Sequence, residues 1–472
     1  MRLLFFLIST TLAGPLLSKR YDVDGNGTPD LCQEDGQGYA DCILPNGATT
    51  KVPSTERVTP ATSTASSSST AVPSSIPSAA TGEKATELNA TVASGGTAKE
   101  FPSSGATFTA DRGSKWTFDV LSGTDSSQGL PPGAIFSNTM YKVNWDKGRT
   151  SAIDGRSFWN FGDTLGTSQS GTSYGFSMGA AFYGSTTNPL EVDTTGISDL
   201  THVDFAKPFT GSPNPDPVPP QGTNYGMDTS NVAQVADGEG IAFAWEIFRS
   251  TTDYGDAKGQ AMLHVTLDDT MPIATRKEGL LWGGDKLQIG SFAVYSPNRA
   301  SPAPPSPDGY IYIYSNSATT YGPITVGRVK QSSAFDHTQY QFLKTDGSWD
   351  SPGAIPPTSA EGYGMAGSPK PPVSNAQGSV MYNPYLAKYM LWTSTMASVG
   401  GFYLSDTPYG PWGDYYPVLG DAEAKAGGTE GKMHYGVNCH PELIPGGGNG
   451  KEALVSWGTP GVITMFKLGF EY

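Results

Sequence analysis

The 472-residue chain is poor in the features that would place it in several large protein classes. Charged residues make up only 15% of it, with 29 Lys and Arg against 44 Asp and Glu, a formal net charge of −15. A chain this acidic lacks the basic footprint that nucleic acid or an anionic membrane requires. Apolar runs are short, broken by Gly, Pro, Asn or Asp well before the ~20 residues of a transmembrane helix, so no membrane anchoring is expected. Histidine is scarce, at five residues, and no His/Asp/Glu set has zinc-like spacing. Convincing helical periodicity is nearly absent. Phosphate-loop, dinucleotide and serine-nucleophile signatures are also missing, because the "GGGNG" run at 446–450 has neither the following Lys-Ser/Thr nor a strand-to-helix context.

What is present is glycine (59), proline (37) and 11% aromatics, the composition of a turn-rich β protein. The first twenty residues put Arg2 before an apolar run that ends in small residues, the layout of a secretory leader, and Lys19-Arg20 resembles a dibasic processing site. The expected location is extracellular. Of three cysteines, Cys32 and Cys42 are read as a local disulfide in that oxidising setting, the competing reading being that one of them pairs with Cys439.

Composition divides the remainder. Residues 21–49 form a small Gly-rich head, and 50–109 are a Ser/Thr/Ala/Pro-rich tether that cannot bury a core. In the head, Asp22, Asp24, Asn26, Thr28 and Asp30 present oxygens at alternate positions with Gly27 sixth, the spacing of a calcium loop, although Gln33 stands where a bidentate Glu belongs. A structural calcium is expected there, and no cofactor for catalysis. Sequons occur at Asn26 and Asn89, the second in the open tether and the better glycosylation site.

Residues 110–472 carry short strand-like runs such as "GIAFAWEIF" and "GYIYIYS" between turns. Aromatic-rich segments recur around 158, 243, 311, 389 and 455. The expected architecture is all-β, a five-bladed β-propeller, with a β-helix or paired sandwiches as alternatives.

The stretch "NWDKGRTSAIDGRSFWNFGDT" (144–164) holds the leading candidates, Asp146 and Asp163, at the ends of adjacent segments. Convergent carboxylates with divergent pKa values suit glycosidic cleavage, while turn capping is the ordinary use of such residues. Asp154 reads as a hairpin-turn residue. Weaker candidates for substrate contact are Glu246, which interrupts an apolar strand, and His440 in "MHYGVNCHPELI" beside His434, Tyr435, Asn438 and Glu442. Trp145, Trp159 and Trp245 could offer indole faces to a sugar, core packing being the commoner fate of Trp. Glu361 reads as a surface-loop residue.

The Asp-x-Gly turn followed by "FWNFGDT", together with "SVMYNPYLAKYMLW", "LSDTPYGPW" and "HPEL…ALVSWG", resembles the endo-D-arabinanases of glycoside hydrolase family 183 over most of 110–472. The resemblance implies a five-bladed propeller whose catalytic aspartates are Asp146 and Asp163, acting on a furanose-containing polysaccharide. A non-catalytic carbohydrate-binding propeller is the rival reading.

Overall fold

The computed structural model describes three strands between 31 and 53, the strand 106–107, and residues 116–470 apart from 213, 251–255, 306, 317–323, 354–355, 358–362, 364–376, 395–398, 414, 433 and 445–446. The leader, the calcium-loop residues Asp22, Asp24, Asn26, Thr28 and Asp30, the sequons, most of the tether and Glu361 lie outside the described residues. Two compact units divide the chain, 1–79 and 80–472. In the first, Leu31–Glu34, Tyr39–Ile43 and Thr49–Pro53 form an antiparallel sheet in which Cys32 stands directly opposite Cys42.

The second unit is nearly all β. Its main sheets follow one another along the chain, beginning with Arg149–Ile153, Arg156–Asn160, Ala181–Gly184 and Glu191–Asp193, the last paired in parallel with Phe136–Ser137. The second is built on the long hairpin Glu239–Ser250 and Asp256–Leu267 and flanked by Thr223–Thr229 and Pro272–Thr275. The third runs from Gln288–Tyr295 to Gln341–Phe342, and the fourth from Ser379–Asn383 to Tyr416–Leu419. In the fifth, Tyr435–Cys439, Glu452–Thr459 and Val462–Phe470 are joined by Trp116–Val120 from the other end of the unit, with Phe466 opposite Val120.

Strands of successive sheets touch: Arg149–Ile153 meets Ala233–Ala236 of the second sheet, Glu239–Ser250 meets Gln288–Tyr295, which meets Ser379–Asn383, which meets Tyr435–Cys439. Asn438 Nδ2 then donates to the carbonyl of Gly148 at 3.1 Å, beside the first strand again. The order is therefore propeller-like, closed on itself by a sheet that mixes both ends. Each sheet packs on two neighbours, which is why Tyr310–Asn316 and Lys388–Ser394 are buried along nearly their whole length and do not alternate. Separate clusters fill the gaps between sheets, one around Phe243, Ile311 and Tyr340, another around Tyr312, Leu391 and Trp412.

Near the centre, buried Arg149 links three sheets by donating to the carbonyls of Thr229 and Ser291. A small extra sheet, Lys142–Trp145, Thr164–Thr167 and Ser173–Ser177, lies off this series and carries the leading candidates.

Candidate active site

Trp145 and Thr164 are directly opposed in the small sheet. Asp146 follows the first and Asp163 precedes the second, so both carboxylates leave the same end of one strand pair. Two glycines shape the surrounding turns. Gly148, at φ +74°, has no room for a Cβ, which would lie 2.3 Å from Ile463 Cδ1. At Gly162 a Cβ would stand 2.6 Å from Asp146 Oδ2, and its N–H donates to the Asp146 carbonyl at 2.9 Å. Between Asp146 and Gly148, Lys147 takes φ +67°, a costly backbone state for a side-chain-bearing residue. That turn delivers its ammonium to Asp228.

The surrounding charges differ by residue. Burial pushes the Asp146 carboxyl above the usual carboxylate range, against the pull of Lys147 and of the Tyr435 hydroxyl, which donates to its Oδ1; Asp163 and Asp228 push it further up. Tyr435 is itself raised by burial and by Asp146, and so remains a proton donor. Asp163 is more open, its side chain 41% exposed, and receives Arg249 Nη1 on both oxygens at 3.1 and 2.9 Å. Asp228 is pushed up by burial, but Lys147 and Arg149 outweigh this and hold it below the ordinary value. The site thus contains three carboxylates and three cations in mutual reach.

Sequence reasoning missed Asp228 and Arg249, which lie far along the chain in strands whose residues otherwise read as packing. Both leave one face of the Thr223–Thr229 and Glu239–Ser250 pair, since Asn224 opposes Arg249 and Asp228 opposes Trp245. Alternation across that register was the signal available.

Other candidates sit elsewhere. Trp145 is 1% exposed and stacks on Phe161 at 4.4 Å, and Trp159 is fully buried, so neither presents an indole face to a sugar. Glu246 emerges on the opposite strand face from Asp228 and is fully buried. Neither of its oxygens has a hydrogen-bond partner, while Asp216, Tyr225 and Arg276 are its neighbours; burial and then Asp216 push it up to about 7. His440 is fully buried, with Nδ1 2.9 Å from Thr150 Oγ1 and Nε2 2.7 Å from Ser456 Oγ. The Thr150 hydroxyl also lies 2.8 Å from Glu442 Oε2, and the buried imidazole has a hydrogen-bond partner at each nitrogen. Burial lowers the imidazole to about 3, and the neutral ring ties the first sheet to the last. Cys439 is a free, buried thiol 3.0 Å from Met381 Sδ. Asp154 accepts Gly238 N–H and Gln234 in a turn contact, at φ +50°. Among the described residues, no group of three or more His, Cys, Asp or Glu is placed to hold a metal ion.

No protein-family model matches the sequence, and no curated protein does. Solved structures are similar to it at low identity. A candidate hydrolase from Bacteroides ovatus is 14% identical with a TM-score of 0.47, covering 75% of this chain and 90% of that one. The exo-β-1,3-galactanase of Phanerochaete chrysosporium, solved with β-1,3-galactotriose, is 9% identical with a TM-score of 0.38, covering 71% and 63%. The family-43 arabinoxylan arabinofuranohydrolase of Bacillus subtilis, solved with cellotetraose, is 12% identical with a TM-score of 0.34, covering 68% and 62%.

Proposed function

We propose that this chain is a secreted glycoside hydrolase, a five-bladed β-propeller that cleaves a furanose-containing polysaccharide, arabinan in the first instance, with Asp146 and Asp163 as its reacting carboxyls. One observation carries the reading: two carboxyls leave the same end of a strand pair, one pushed up by burial and the other open and ion-paired. That asymmetry divides the work. Asp146, where burial favours the protonated carboxyl, delivers a proton to the glycosidic oxygen, and the Tyr435 hydroxyl stabilises the carboxylate left behind. Asp163, held by Arg249, meets the anomeric side as base or nucleophile. Lys147 and Asp228 hold each other and fix the turn that aims Asp146.

The leader supports export, and the opposed Cα positions of Cys32 and Cys42, about 4.5–5.5 Å apart in any such pair, fall within disulfide span. The test is a panel of soluble D-arabinan, L-arabinan and pyranose polysaccharides. Release of reducing ends from an arabinan supports the proposal; retention of polysaccharide without release from any member overturns it in favour of a binding protein.

A further inference from the structure

Large apolar side chains exposed among the described residues are few, and two of them face each other: Leu165, 38% exposed, and Phe176, 44% exposed, are directly opposed in the small sheet. On the other side of Leu165 stands Asn144, also exposed. The three make one row across all three strands. Thr164, between Asp163 and Leu165, is fully buried, and Trp145, between Asn144 and Asp146, is nearly so. Strand alternation therefore turns the row toward the same outward side as the two aspartates.

The spacing along the strands is two residues, about 6.7 Å, the order of one sugar ring along a chain. We propose that Asn144, Leu165 and Phe176 form a binding platform for the sugar one ring beyond the one whose bond is cleaved, the Phe176 ring and Leu165 lying under its apolar face and the Asn144 amide reaching its hydroxyls. The proposal rests on the reading of Asp146 and Asp163 as the cleavage site. Two side chains are far too little area for a protein partner, which needs roughly 800 Å² per side. They match the face of a single ring.

The test separates the platform from the chemistry. Phe176→Ser and Phe176→Trp are compared with the native protein for hydrolysis of arabino-oligosaccharides, hydrolysis of a single-sugar aryl arabinofuranoside, and retardation in gels containing soluble arabinan. Expected for Phe176→Ser are a rise of about tenfold in KM for the oligosaccharides, a loss of retardation, and aryl-glycoside hydrolysis within about twofold of native. Phe176→Trp restores retardation. Equal losses on the long and short substrates, or undiminished retardation, overturn the platform. Retardation needs no hydrolysis, so it reads the platform even where the cleavage assignment fails, and an inert Asp163→Asn protein that still shows Phe176-dependent retardation separates the two.

Discussion

The strand pair Thr223–Thr229 and Glu239–Ser250 divides the acidic residues of this protein into two sets. On one face Asp228 and Arg249 join Asp146, Asp163 and Lys147, where side chains keep part of their surface in solvent. On the other face Glu246 and Tyr225 join Asp216 and Arg276, an ion pair exposed by only 2% and 4%. Both sets combine carboxylates with cations. The open set can exchange protons with a ligand, whereas the sealed set can only spend its charges on the fold. A raised carboxyl marks a reactive group only where a substrate can reach it, and Glu246, pushed up to about 7, shows how a sealed residue imitates one.

The largest expected effect falls on the sealed side. Arg276→Leu leaves Asp216 buried with only the Tyr225 hydroxyl and the Phe209 N–H, at 2.9 and 2.8 Å, and should cost about 3–5 kcal/mol in denaturant unfolding. Next is Glu246. Its proton leaves the unfolded chain near 4.5 and the folded one near 7, so between those values rising pH favours the unfolded state, by at most about 3 kcal/mol from this group. Below 4.5 and above 7 its contribution is flat. Glu246→Gln should shallow the fall in stability across that window, measured by urea unfolding at a series of pH values.

On the open side, Gly162→Ala drives a methyl group into the Asp146 carboxyl and should lower kcat about 100-fold with little change in melting temperature. Tyr435→Phe is the smallest change. Without its hydroxyl donor Asp146 rises further, so kcat should fall about tenfold and the alkaline limb of the pH–rate profile should move to higher pH.

Much of the architecture was legible in the sequence. The aromatic-rich segments at 158, 243, 311, 389 and 455 fall on the second strand of each successive main sheet, because that strand is buried on both faces and must be filled with bulky side chains. The neighbourhood of Asp146 and Asp163 was legible too, since one short stretch encodes both ends of the turn. Their partners were not. Asp228 and Arg249 reach the site through strand pairing, which sets distant residues together without a local pattern, and Tyr435, named in the sequence only as a neighbour of His440, reaches Asp146 from the last sheet. The tryptophans misled for a related reason: Trp145 lies beside Asp146 in sequence, but strand alternation sends adjacent residues to opposite sides.

The division between the open and sealed carboxylates is tested most directly by reducing-end release from soluble arabinan with the native protein, Asp163→Asn and Glu246→Gln. The account predicts a loss of about 10³-fold or more for Asp163→Asn in a folded protein, and activity within about tenfold of native for Glu246→Gln at a pH where both are stable. Undiminished release by Asp163→Asn, or its abolition by Glu246→Gln, would contradict it.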